Sequence, residues 1–190
     1  MCRSDLRCAR PPRLWAPRRR ATLRAVKIST RASIEIPRPP EAVFDAATDH
    51  TRLSGIMKKS GPIPGVISVD MEHGAKPAAG ATRAVKMSDG STMREEITVQ
   101  ERPRAYRYRW LNPPAAPFSL MVRGAESDWT FRPAGAGTAV DWTYTFELTT
   151  PLVYPLAVPV TWLFNQMKGR NSPICAPAEV MPPPTSLPNI

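Results

Sequence analysis

The sequence predicts an α+β domain: a curved antiparallel sheet of about seven strands, two short helices near its start, and a C-terminal helix packed across the sheet over a pocket. Three observations lead there. From Thr138 to Leu148, Val140, Trp142, Tyr144, Phe146 and Leu148 alternate with Ala139, Asp141, Thr143, Thr145 and Glu147, the period of two that gives a strand one apolar face and one wet face. Directly after it, Thr149 or Thr150 offers a helix cap, Pro151 suits a first helical turn, and apolar residues crowd from Leu152 to Phe164. Upstream, short alternating runs are separated by turn signals such as Ser88-Asp89-Gly90. A strand with one oily face needs a cover, and an apolar helix needs something to lie on.

Taken in order, Val26, Ile28, Ile34 and Ile36 share one parity and predict a first strand that Pro37, Pro39 and Pro40 end. Residues Glu41 to Ala47 read as a short helix, with Pro40 near its first position, Glu41 favouring the helix dipole, and Val43, Phe44 and Ala47 as its buried stripe. A second short helix is expected over His50 to Lys59, weakened by Gly55. Ile63 to Glu72 reads as a strand, and hairpins follow. Arg83, Val85 and Met87 share a face, as do Met93, Glu95, Ile97 and Val99, then Tyr106, Tyr108 and Trp110, then Met121, Arg123, Ala125, Trp129 and Phe131. If each loop simply folds back, Glu95 lies opposite Trp110, Arg123 faces Tyr106 and Trp129 faces Trp142. The apolar faces agree throughout, and a one-residue slip in any strand would turn its set outward.

Charge and cysteines narrow the function classes. Ten of the basic residues lie between Met1 and Ile34 against Asp5 alone, so +9 of the +10 formal charge sits in that stretch and the remainder is nearly neutral. The basicity belongs to a leader, 1–24, expected to be disordered; an organelle transit peptide, a nucleic-acid arm and a true start further downstream are its three explanations. Cys2, Cys8 and Cys175 lie in the tails, an odd number without regular spacing, and His50 and His73 are far apart. That argues against a disulfide framework and a metal site. No apolar run reaches the ~18 residues needed to span a bilayer, and Leu152–Phe164 carries Pro155 and Pro159. A cytoplasmic protein is expected, or an organelle one if the leader is a transit peptide.

The order strand, two short helices, six strands, C-terminal helix goes with particular residues: Ile34-Glu35-Ile36-Pro37-Arg38-Pro39-Pro40-Glu41-Ala42-Val43-Phe44 and Thr48-Asp49. Further on come Gly80-Ala81-Thr82-Arg83, Gly90 before a Glu-bearing strand, Pro103 at a hairpin, and Trp129 with Gly137-Thr138-Ala139-Val140. Together they resemble the START-like polyketide cyclase/dehydrase and lipid-transport superfamily (SRPBCC), over residues 25–169. The resemblance implies a helix-grip fold around a hydrophobic cavity. It implies binding of a small hydrophobic molecule such as a lipid or polyketide; no cofactor, metal or nucleic-acid partner is expected. Members share no universal catalytic motif, so none is carried over. Two features depart from the pattern. No aromatic residue follows Thr48-Asp49, where Leu53 and Ile56 stand instead. The helical pattern also stops at Met167-Lys168-Gly169, after which six prolines between Arg170 and Ile190 forbid a helix. The grip helix is therefore expected to be truncated, and the 170–190 tail to be a disordered, frameshifted or alternative end.

On the expected concave wall, Arg83, Met87, Glu95, Tyr106, Tyr108 and Trp110 come from the middle strands, and Met121, Arg123, Trp129, Trp142 and Tyr144 from the last two. These are the candidate ligand-binding residues. An ionised group on such a wall must be paired or solvated. One expectation is a structural Glu95–Arg83 bridge. Another is that Arg83 and Arg123 reach solvent at strand ends. A third has Arg83 or Arg123 anchoring a ligand carbonyl or carboxylate, with Glu95 as the acid or base of a cyclase or dehydrase, its pKa raised by apolar surroundings. An interaction module, marked by an exposed apolar patch, is the remaining alternative.

Overall fold

In the computed structural model, which describes residues 26–59, 63–159, 161 and 162, the chain runs through β1 (Lys27–Ile36), α1 (Pro40–Thr48) and α2 (Leu53–Ile56). Six strands follow: β2 (Val66–Met71), β3 (Thr82–Met87), β4 (Thr92–Glu101), β5 (Ala105–Trp110), β6 (Val122–Ala134) and β7 (Gly137–Leu148). They form one curved sheet in the order β1-β7-β6-β5-β4-β3-β2, every pair antiparallel. The basic leader and the Pro-rich tail fall outside the described residues, and so does the question of where the C-terminal helix ends.

The strands follow their side-chain alternation. Along β7 the residues of even number from Thr138 to Leu148 are all buried, and Ala139, Thr143, Thr145 and Glu147 are only half so. β1 closes the sheet beside it, with Lys27 opposite Glu147 and Ile36 opposite Thr138. Gly137 permits that closure, since a Cβ there would run into the carbonyl oxygen of Ile36. The turn from β6 to β7 uses Gly135 at φ 55°, a left-handed conformation that glycine adopts without strain.

Two local expectations fail for identifiable reasons. The helix expected over His50–Lys59 breaks into a turn of 3-10 helix (His50–Arg52) and the four-residue α2. The Asp49 carboxylate accepts from the Thr51 backbone N–H at 3.0 Å and caps the first piece. The second failure is the register of β5 with β6. Tyr106 lies opposite Trp129, not Arg123. The segment between the two strands is long and carries its own 3-10 turn, Phe118–Leu120, so the chain does not simply fold back. Both Glu95–Trp110 and Trp129–Trp142 pair as expected.

α1 starts with Pro40 at its first turn and Glu41 beside it. It buries Val43 and Phe44, and the Phe44 ring meets Phe131 edge-on at 5.2 Å. Burying one such side chain is worth about 1.5–3 kcal/mol. On its outer side Asp45 receives Arg102 Nε at 2.7 Å and Nη2 at 2.9 Å, which ties α1 to the β4–β5 hairpin. At the other end, Thr150 caps the C-terminal helical turns by accepting from Leu152 N–H at 3.3 Å, and Pro151 opens them. Of these turns Ala157 and Thr161 are buried and Val153 packs on the core, whereas Leu152, Leu156 and Trp162 are exposed.

Candidate functional site

The concave face has two ends of different character. Under the C-terminal turns, Ile28, Phe118, Met121, Val122, Phe146 and Ala157 meet with no room for a water molecule between them. At the α1–α2 end a cavity of about 40 Å³ remains, enough for water-sized guests. Arg83, Tyr106, Tyr108, Trp129 and Trp142 form its sheet side, and Ala47, Leu53 and Met57 its helical side. The Met57 wall is held close to the sheet. Val66 N–H donates to Met57 O at 2.7 Å, and a Cβ on Gly65 would press into the backbone of Met57–Lys59.

Arg83 and Glu95 sit opposite each other on β3 and β4, only 2 % and 6 % exposed. Arg83 Nε donates to Glu95 Oε2 at 2.8 Å and Nη2 to the same oxygen at 2.7 Å, which leaves Oε1 outside the pair. Burial opposes the charge on Arg83, but the Glu95 carboxylate and the neighbouring tyrosines more than offset it and hold its pKa above the ordinary value. The guanidinium lies 4.8 Å from the centre of the Tyr108 ring, a cation–π contact. The structural bridge is thus what the side chains form.

Burial raises the pKa of Tyr106, Tyr108 and Tyr144, so all three are neutral phenols at ordinary pH. Trp129 and Trp142 stack with ring centres 4.3 Å apart, and both indole N–H groups donate to Ser127 Oγ at 2.9 Å. Ser127 is 1 % exposed and lies opposite Tyr108. Its parity with Ala125 and Trp129 is visible in the sequence, so a hydroxyl placed inward between apolar partners was the available signal.

The other expected wall residues separate. Trp110 is half-buried, edge-on to Tyr144 at 6.1 Å and Phe146 at 6.0 Å. Met121 belongs to the filled end, and Met87 is half-buried opposite Val66 at the far end of β3. Arg123 is a correction. A register irregularity between Val122 and Gly124 turns Val122 inward, and Arg123 stands outside, half exposed, 3.5 Å from Glu147. A bulge between Ile97 and Val99 does the same on β4. It puts Gln100 rather than Val99 opposite Tyr106, its side-chain oxygen buried without a partner among the described residues.

Among the described residues no helix is long and apolar enough to cross a membrane. Three solved structures locate the fold. The Ara h 8.0201 structure is 17 % identical with a TM-score of 0.54, covering 76 % of this chain and 97 % of that one. TTHA0849 from Thermus thermophilus is 27 % identical, TM-score 0.54, covering 80 % and 99 %. The di-domain ARO/CYC BexL from the BE-7585A biosynthetic pathway is 18 % identical, TM-score 0.55, covering 77 % of this chain and 48 % of BexL, about half its length. No curated protein matches the sequence. The family model for polyketide cyclase / dehydrase and lipid transport matches residues 27–169. With the helix-grip architecture and that match over most of its length, the chain belongs to the polyketide cyclase/dehydrase and lipid transport family.

Proposed function

We propose that the protein binds a small hydrophobic molecule at the α1–α2 end of the concave face, against Arg83, Tyr106, Tyr108, Trp129 and Trp142. The observation that carries this reading is where space remains: the filled end presents only apolar surface, whereas the cavity lies where aromatic faces, phenol hydroxyls and a buried ion pair meet. Binding pockets combine a mostly apolar lining with a few placed polar groups. The 40 Å³ present falls far short of the ~300 Å³ at the low end for drug-sized ligands. A larger guest therefore enters by displacing the Leu53–Met57 wall, which is one short helix hung on the Met57–Val66 hydrogen bond.

Native mass spectrometry of protein purified from its own host tests this. A co-purified apolar molecule, lost in a Trp142→Ala variant that still folds, is the expected result. Bare protein, together with no binding of hydrophobic probes, overturns it.

Glu95 is the residue that separates a carrier from a cyclase or dehydrase. Its carboxylate is engaged with Arg83, which supports the carrier. Glu95→Gln should then leave ligand affinity within a few fold, whereas loss of turnover on a polyketide-like substrate would favour the enzyme. A second reading, an interaction surface, draws on Leu120, Leu152, Leu156 and Trp162, which are 63–86 % exposed. Under it, Leu156→Glu abolishes association with a partner and leaves ligand binding intact.

A further inference from the structure

We infer that the exposed apolar surface of the C-terminal turns is a self-association face, covered by the same surface of a second copy of this chain. The inference deepens the interaction-surface reading above and rests on it. It is independent of the ligand site, which lies at the other end of the concave face.

The turns rest on the core along one row. Val153 is half-buried, Ala157 and Thr161 are buried, and recurrence at every fourth residue puts all three on one side of a helix. The other described residues of 151–162 are exposed, and none is charged. From Leu148 to Met167 the sequence has no Asp, Glu, Lys or Arg at all. A helix apolar on every side belongs in the interior of something larger, and the domain covers only one side of this one.

Clustering separates this surface from the scattered apolar exposure that any protein shows. Of eight exposed large apolar side chains among the described residues, six lie here: Leu120, Leu152, Tyr154, Leu156, Val158 and Trp162. Thr149 ties the first of them to the start of the turns, its N–H donating to Met121 O at 3.0 Å and its hydroxyl to Leu120 O at 2.7 Å. Exposed by 45 to 86 %, the six make a patch of several hundred Å². That is at the upper end of the ~300–600 Å² of a monomer's largest patch and near the ~800 Å² that each partner buries in a stable interface.

Chemistry selects the occupant. A helix that lies in a bilayer surface carries Lys and Arg on its polar face, and these turns have neither. Pro159 also has no N–H for the carbonyl of Pro155, four residues before it. An acceptor without its helical donor is costly in hydrocarbon but not against a protein that brings a donor. A second copy brings one on the same surface, the indole N–H of its exposed Trp162. Two-fold contact sets a patch against itself. A charged patch resists that, whereas an uncharged one rich in leucine and aromatic residues has the composition of a homodimer core.

Sedimentation velocity of the full chain over a concentration series tests this. A species of twice the 21.0 kDa chain mass is expected, and it should persist in high salt because no ion pair holds it. Leu156→Glu should give a monomer, and Trp162→Ala should weaken association ~10-fold or more. Ile67→Glu, at an exposed apolar position outside the patch, should leave the dimer intact. All three positions are exposed, so the far-ultraviolet circular dichroism of each variant should match the wild type. A wild-type monomer throughout the series overturns the inference. So does a dimer that survives both Leu156→Glu and Trp162→Ala, or one that Ile67→Glu breaks as readily. If the wild-type monomer floats with phosphatidylcholine vesicles and Leu156→Glu stops it, the interaction surface stands with a bilayer as its occupant and the second copy is refuted. A monomer that does not float removes both occupants.

Discussion

Two acids of this sheet are buried beside arginines, one on each face, and they do different things. On the convex face Asp141 accepts from Arg31 at 2.9 Å and also from Ser33 and Arg132, so it draws β1, β6 and β7 together. Its side chain is 12 % exposed, but those of Arg31 and Arg132 are 66 % and 65 % exposed. The acid is enclosed and its partners stay in water, so either arginine can leave without stranding a charge. On the concave face both members of Arg83–Glu95 are enclosed. Neither reaches solvent, so losing one leaves the other ionised in an aromatic core. Position relative to water, not distance between the charges, decides what each pair is worth.

The largest effect should come from breaking the concave pair. Glu95→Ala leaves Arg83 uncompensated and should cost about 3–5 kcal/mol of stability, measured by urea unfolding; a loss below about 1 kcal/mol would mean that water reaches Arg83. Asp141→Asn should cost less, about 1–2 kcal/mol near pH 7, because its partners rehydrate. That cost should depend on pH. The Ser33 hydroxyl and then Arg31 hold the Asp141 pKa below 3.8, so its contribution is fully present above 3.8 and is lost as pH falls through the lower, folded value. The gap between wild type and Asp141→Asn should therefore close on acidification below pH 3.8, and a gap that stays constant there would refute the assignment. Smallest of all, Arg109→Ala removes an exposed partner of Glu96 and should change stability by less than about 0.5 kcal/mol.

The contrast also marks what was readable beforehand. Alternation in β7 and in Tyr106-Tyr108-Trp110 fixed which faces point inward, because period two leaves only two choices and the apolar residues make one of them costly. The Glu95–Arg83 bridge was legible for the same reason. Arg123 and Gln100 were not, because a bulge shifts parity by one residue and has no reliable composition signal; each took its face from a local irregularity in the ladder. The size of the cavity was hidden for a different reason. It depends on how far α2 leans onto the sheet, to which the close approach at Gly65 and the Val66–Met57 backbone hydrogen bond contribute. Ser127 lay in plain view on the inward parity, but its two indole donors come from different strands and meet only after folding.

The placement of β1 beside β7 bears on how the chain is made. The first of the described strands to leave the ribosome finds its neighbour only when the last of them has been synthesised, more than a hundred residues afterwards. Meanwhile β2 to β7 can zip together as successive hairpins, and Ile28, Ile34 and Ile36 wait with nothing to cover them. Contacts so distant along the chain form slowly, and unpaired apolar strands are what chaperones hold and aggregates recruit. Slow docking of β1 is then the step expected to leave a newborn molecule most exposed to loss.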